Sequence, residues 1–185
     1  LGAVPGGRGT SFRVWAPTSA VAELVLEPHG DRRALTRHPT GMFYGSYEDV
    51  GPGSRYRYSL DGQGPFPDPA SRWQPDGVHG PSAVVDPRGF AWTDRHWTGL
   101  PLADLVFYEL HVGTFSPAGT FAGAVALLPH LRDLGVSAVE LMPVADFPGS
   151  RNWGYDGVSL FAPARAYGTP DDLRRFVDAA HGLGL

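Results

Sequence analysis

Cysteine is absent from the 185 residues, which excludes disulfides and thiol chemistry and makes cytoplasmic residence the expectation. Lysine is absent too: all 15 basic residues are arginine, which reads as codon composition of the source rather than as a physical device. No apolar run approaches transmembrane length, and the first residues lack the basic-then-apolar order of a signal peptide, so a membrane is not an expected partner. Residues 1–100 carry ten arginines and ten acids, while residues 101–185 carry five arginines and nine acids, so the net charge of -4 sits in the second half. Neither half offers the basic patch that nucleic acid requires, whereas a neutral polar ligand suits this balance. The seven histidines are scattered without HExxH spacing, and neither GxxxxGK nor GxGxxG occurs, so no metal or other cofactor is expected.

What is abundant is glycine, 25 residues, and proline, 18, with no period that would suggest a repeat array. In the first half they punctuate short strand-like segments. Thr10–Trp15 is closed by Pro17. Val21–Glu27 alternates, with Ala22, Leu24 and Leu26 on one face. Met42–Tyr47 is apolar and aromatic, and Arg55–Leu60 places Tyr56, Tyr58 and Leu60 together before an Asp61-Gly62 turn. Such a pattern predicts a β-sandwich of immunoglobulin-like size over residues 1–90, with Trp15, Leu24, Leu26, Phe43 and Tyr58 as packing residues. Gly64–His79, with four prolines, reads as an ordered loop without strand or helix. Its Trp73 and His79 are open to ligand contact, although packing is the plainer account of Trp73. Residues 91–101 read as a linker whose Trp92, His96 and Trp97 pack across the boundary.

From Leu102 the grammar changes to α/β. Leu105–Val112 is a mostly apolar run, as expected of a buried parallel strand. A crossover helix follows over roughly 120–134, with Phe121, Val125, Leu128 and Leu131 on one face, a kink at Pro129 and a stop at Gly135. Ser137–Val144 is a second buried strand. Thr169-Pro170-Asp171-Asp172 starts a helix, with Thr169 as N-cap, Pro170 at the first position and Asp172 completing a capping box; Leu173, Phe176, Val177 and Ala180 form its buried face. Strand, helix, strand, helix is the opening of a larger parallel domain. A (β/α)8 barrel needs roughly 250 residues, and 85 follow position 100, so residues 102–185 read as an incomplete barrel.

In a barrel the active site gathers beyond the C-terminal ends of the strands. Glu109 and His111 near the end of the first strand, Asp146 after the second, and the loop Arg151–Asp156 all fall there. Glu109 and His111, two apart, point to one strand face, either as a polar layer near a ligand or as a structural pair supporting the strand ends. Glu140, mid-strand, reads as a buried partner of an arginine. The segment NWGYDG, Asn152–Gly157, sets Trp153, Tyr155 and Asp156 among glycines after the run ELMPV. Sugars need that combination, because their C–H faces stack on rings and their hydroxyls need directed partners. Glycoside hydrolysis also needs two carboxyls flanking one bond, and sequence spacing leaves open whether Glu109, Asp146 and Asp156 converge.

VFYELHVGTFSPAGTF, LPHLRDLGVSAVELMPVADFPGSRNWGYDGV and FAPARAYGTPDDLRRFVDAAHGLGL resemble the start of the catalytic domain in the alpha-amylase superfamily, glycoside hydrolase family 13. Within it they resemble the maltooligosyltrehalose trehalohydrolases and their relatives the glycogen branching enzymes; FRVWAP and RWQPDGVHGPSAVVDP favour the former. The resemblance implies a sandwich of the glycogen-branching-enzyme type joined to a (β/α)8 barrel. It also implies hydrolysis of the α-1,4 bond next to the terminal trehalose unit of maltooligosyltrehalose, or action on a related α-glucan. It makes Tyr155 the ring that stacks on sugar, with Asp156 and Trp153 shaping the same subsite. His111, Glu109, Asn152 and Asp146 become supporting residues. The family's nucleophile, acid/base and third carboxylate come from later strands, so none has a counterpart here and the 185 residues are expected to be inactive alone. A branching enzyme and a non-catalytic glucan-binding module are the alternative readings.

Overall fold

The computed structural model describes all of residues 1–185 and divides into two compact units. Leu1–Pro87 groups with Val158–Ala162, and Arg88–Gly157 with Pro163–Leu185.

Within Leu1–Pro87 the first unit contains nine strands: β1 (Gly2–Gly6), β2 (Gly9–Trp15), β3 (Ala22–Leu26), β4 (Asp31–Ala34), β5 (Thr36–Arg37), β6 (Met42–Tyr47), β7 (Arg55–Leu60), β8 (Gln63–Phe66) and β9 (Ser82–Ala83). One sheet runs β1-β2-β6-β5; the other runs β4-β3-β7-β8, with β9 also on β7; every pairing is antiparallel. Alternation along β2, β3, β6 and β7 turns Phe12, Val14, Leu24, Phe43, Tyr56 and Tyr58 into a shared core. Leu24, Phe43 and Tyr58 are buried as expected, and Leu26 packs at the margin. Trp15 does the opposite. It lies on the outer face of β2, 60% exposed, with its indole N–H donating to the Thr40 carbonyl at 3.3 Å. The parity of the strand decides this: Phe12 and Val14 point inward, so Trp15 must point out. The proline-rich stretch also departs from expectation, since β8 occupies its beginning and pairs with β7. Beyond β8, Asp68 is buried and accepts from the Tyr56 hydroxyl at 2.6 Å and the Ala70 amide at 2.8 Å.

In the second unit β10 (Phe107–Leu110) and β11 (Ala138–Leu141) form a parallel pair in register. Between them lie α1 (Val112–Phe115), α2 (Phe121–Val125) and α3 (Leu128–Leu134). The expected single crossover helix is broken at 126–127, because proline cannot donate inside a helix, and Pro129 instead sits in the first turn of α3. The strand expected over 105–112 is shorter, and Phe107, Tyr108 and Glu109 are exposed rather than buried. Only two strands pair here, so one face of β10 lacks the neighbours that a closed barrel supplies. Short strand β12 (Ala145–Asp146) and helix α4 (Pro170–Gly182) complete this unit, whereas β13 (Ser159–Pro163) lies almost wholly in the segment grouped with the first unit. The capping box is present: Thr169 Oγ1 accepts from the Asp172 amide, and the Asp172 carboxylate accepts from the Thr169 amide at 2.8 Å. Phe121, Leu128, Leu131, Phe147, Tyr167 and Phe176 make the core. Trp97, expected at a domain boundary, stacks on His181 of α4 with ring centroids 3.7 Å apart, while His96 is exposed.

Candidate functional site

The loop Asn152–Gly157 is shaped by short-range constraints. Asn152 folds its side-chain oxygen back to accept from the Gly154 amide. Gly154 has φ +100°, and a Cβ there would lie 2.8 Å from the Pro143 carbonyl oxygen, so only glycine lets the loop close over the end of β11. The turn throws its large side chains outward: Trp153 is 80% exposed, Tyr155 71%, and Asp156 is also exposed. None of these three side chains makes a hydrogen bond, ion pair or ring contact, so their polar and aromatic surfaces are available to a ligand.

His111 lies beneath the loop. It is the N-cap of α1, one residue past the end of β10, and is half-buried. Its Nε2–H donates to the Asn152 carbonyl at 2.8 Å, and the Tyr167 hydroxyl lies 3.2 Å from the same nitrogen. Tyr167 is buried, packed edge-on against Phe121 and tilted against Phe147, and burial pushes its phenol pKa up. Asp146 is turned inward and has no exposed surface. It accepts from the Arg165 amide at 3.1 Å and from Arg165 Nη1 at 3.0 and 3.2 Å; the same guanidinium donates to the carbonyls of Phe147 and Gly149. This pair ties β12 and the approach to the loop to the segment before α4.

The structure thus brings His111 and Asn152 together and separates Glu109 from them. Glu109 stands beside Glu140 in the register of β10 and β11, so both carboxylates leave one sheet face. Both are exposed, and neither makes an ion pair, which corrects the expectation that Glu140 is buried against an arginine. Glu140 is instead on the face that two strands leave uncovered. Tyr167 and Arg165 were not legible as site residues. No local motif marks them, since their partners lie 56 and 19 residues away. No three His, Asp or Glu side chains are grouped to hold a metal ion, and no helix is long and apolar enough to cross a membrane. A groove of about 370 Å³ between β11 and α4, lined by Val139, Leu141, Phe176 and Val177, is mostly apolar and lies away from the loop; its walls suit side chains rather than a sugar.

The family described as "Alpha amylase, catalytic domain" matches residues 84–185, and "Carbohydrate-binding module 48 (Isoamylase N-terminal domain)" matches residues 1–85. The chain belongs to the alpha-amylase family. It is 51% identical to a malto-oligosyltrehalose trehalohydrolase of Deinococcus radiodurans, over 98% of this chain and 30% of that protein. It is 35% identical to a 1,4-alpha-glucan branching enzyme of Xanthomonas axonopodis pv. citri, over 98% of this chain and 28% of that one. A solved structure of an alpha amylase candidate from Salmonella typhimurium superposes with a TM-score of 0.95 at 46% identity, covering 100% of this chain and 32% of that chain. The chain therefore spans about a third of the length of the relatives it matches. An antiparallel carbohydrate-module sandwich followed by the opening β/α units of a barrel is the architecture that both the family matches and the strand pairings give.

Proposed function

We propose that the protein carrying this chain is a glycoside hydrolase that cleaves the α-1,4-glucosidic bond next to the terminal trehalose unit of maltooligosyltrehalose, releasing trehalose. The observation that carries this reading is the 51% identity to the Deinococcus trehalohydrolase across nearly the whole chain, against 35% to the branching enzyme. In this reading residues 1–90 are the sandwich module, 91–101 the linker and 102–185 the opening of the catalytic domain. Tyr155 lays its exposed ring on the C–H face of a glucose unit on the non-reducing side of the cleaved bond. Asp156 accepts from sugar hydroxyls and Trp153 forms the adjoining wall. Asn152, His111 and Asp146 hold the loop and strand ends, while Glu109 supports the strand away from them, beside Glu140.

In this reading the bond chemistry, which needs two carboxyls about 5–5.5 Å apart across the scissile bond in a retaining enzyme, is not carried by the acids of these 185 residues. Asp146 is sequestered by Arg165, and Asp156 rides on the loop without a carboxyl partner. Glu109 and Glu140 emerge side by side from a bare sheet face, with no wall opposite them to hold a sugar between. The 185-residue polypeptide accordingly releases no trehalose from maltooligosyltrehalose by itself. The test is a trehalose-release assay on this polypeptide and on the whole protein. Release by the whole protein alone supports the reading; release by the 185 residues, or new α-1,6 linkages in the product, refutes it.

A second reading, glucan binding by the sandwich itself, is favoured by one observation. Trp15 and Tyr44 are exposed on the outer face of one sheet, with Arg13 in register beside Tyr44 and Met42 beside Trp15. Aromatic faces beside hydrogen-bonding groups suit sugar. Loss of glucan affinity of the 185-residue chain on Trp15→Ala, with Tyr155→Ala neutral, is the result that selects it.

A further inference from the structure

The side chains that face ligand in the loop 152–157 make no contacts of their own, so the loop is set through its backbone. One bond reaches that backbone from below, the His111 Nε2–H donated to the Asn152 carbonyl at 2.8 Å. A carbonyl only accepts, so Nε2 carries the hydrogen, and Nδ1 is left facing the Thr114 hydroxyl at 3.4 Å. The Tyr167 hydroxyl oxygen, 3.2 Å from Nε2, lies where it shares that same hydrogen. Its ring meets the imidazole edge-on, with centroids 5.8 Å apart. The chain keeps room for this arrangement at Gly113, where a Cβ would fall 2.9 Å from His111 Cε1 and 3.0 Å from Tyr167 Cε1. On the far side of the bond, Asn152 Nδ2 is buried with no partner, so the residue spends its side-chain oxygen on the loop turn and is held in place mainly by the imidazole.

We propose that Tyr167 is a positioning residue for the sugar-facing loop. Its hydroxyl touches no sugar. By sharing the Nε2 hydrogen that the Asn152 carbonyl dictates, it holds the His111 imidazole in the orientation that pins that carbonyl, so that Trp153, Tyr155 and Asp156 are set before ligand arrives. Such preorganisation raises affinity by removing the ordering cost from the binding step. The inference rests on the reading that this loop faces sugar, but the ordering of the loop is measurable without any sugar.

The experiment compares the 185-residue chain with its Tyr167→Phe, His111→Gln and His111→Ala variants. At a pH where the ring is neutral, histidine ring ¹⁵N shifts report the His111 tautomer, and backbone ¹⁵N relaxation reports the mobility of residues 152–157. Maltoheptaose titration reports affinity. Tyr167→Phe keeps the packed ring and removes only the hydroxyl. It is expected to keep the Nε2–H tautomer, raise the mobility of 152–157 and weaken maltoheptaose about threefold to tenfold, the equivalent of one neutral hydrogen bond. His111→Gln, whose amide can still donate to the Asn152 carbonyl, is expected to keep the loop more ordered than His111→Ala. Unchanged relaxation of residues 152–157 in a folded Tyr167→Phe variant overturns the proposal. If the loop relaxation shifts as expected but the wild-type chain takes no maltoheptaose, the positioning role stands and the sugar reading falls.

Discussion

Asp146 and Arg165 illustrate how a side chain is spent on structure. A carboxylate with no exposed surface is tolerable only when its charge is met, and one arginine meets it through both its main-chain amide and its guanidinium. Removing one partner leaves the other charge uncompensated. Asp146→Ala is expected to cost about 3 kcal/mol, the low end for a broken buried pair, because Arg165 retains 27% side-chain exposure. Chemical denaturation of the variant checks this, and a loss under about 1 kcal/mol would mean that water already screens the pair. From sequence, Asp146 was visible only as an acid after a strand. Its inward turn depends on an arginine 19 residues on, which no local pattern announces. Trp15 is the converse case. Size and apolarity argue for burial, but strand parity put it outside.

At the scale of elements, local signals were the legible ones. The cap of α4 is written in four consecutive residues, and its bonds close within three positions, so Thr169, Pro170 and Asp172 were assigned without knowledge of the fold. The division of the crossover at Pro129 has an equally local cause. β10 is more exposed than its apolar run predicts, because exposure of a strand is decided by neighbours distant in sequence. The cap also predicts a pH response. The Thr169 amide and hydroxyl hold the Asp172 carboxyl below its ordinary value, with Arg175 adding a smaller part. A depressed folded-state value stabilises the helix above about pH 4, and that contribution is lost as pH falls through the ordinary and then the folded value. Thermal midpoints measured between pH 6 and 2.5 are expected to fall less steeply in Asp172→Asn than in the parent chain. Parallel curves would exclude the cap as a source of the acid sensitivity. Asp68 in the sandwich has the opposite sign. Burial outweighs its bond from Tyr56 and raises its value, so its contribution is present at low pH and lost as pH rises through the raised value.

At the scale of the molecule, the chain holds two separate cores, one around Phe12, Leu24, Phe43 and Tyr56 and one around Phe121, Leu131, Phe147 and Phe176. Two unfolding transitions are expected by calorimetry. Phe12→Ala should lower one and Phe121→Ala the other, each by about 3–5 kcal/mol for a fully buried ring, since both are 0% exposed. A single transition lowered equally by either variant would mean that the cores unfold together. The change of pattern near residue 100 was enough to read a sandwich followed by barrel-like units, since alternating strands and helix-periodic segments look different at any length. Which acids converge was not readable, because that depends on loops folding back across the strand ends. The central claim is that the Asn152–Gly157 loop is a sugar wall with Tyr155 as its platform. The most direct measurement is a ¹H NMR titration of the 185-residue chain with maltotriosyltrehalose, following the Tyr155 ring and the Trp153 indole. The account predicts saturable upfield shifts of sugar C–H protons together with movement of both ring signals, abolished by Tyr155→Ala. Saturable sugar binding that leaves Tyr155 and Trp153 unshifted, or that survives Tyr155→Ala unchanged, would contradict it.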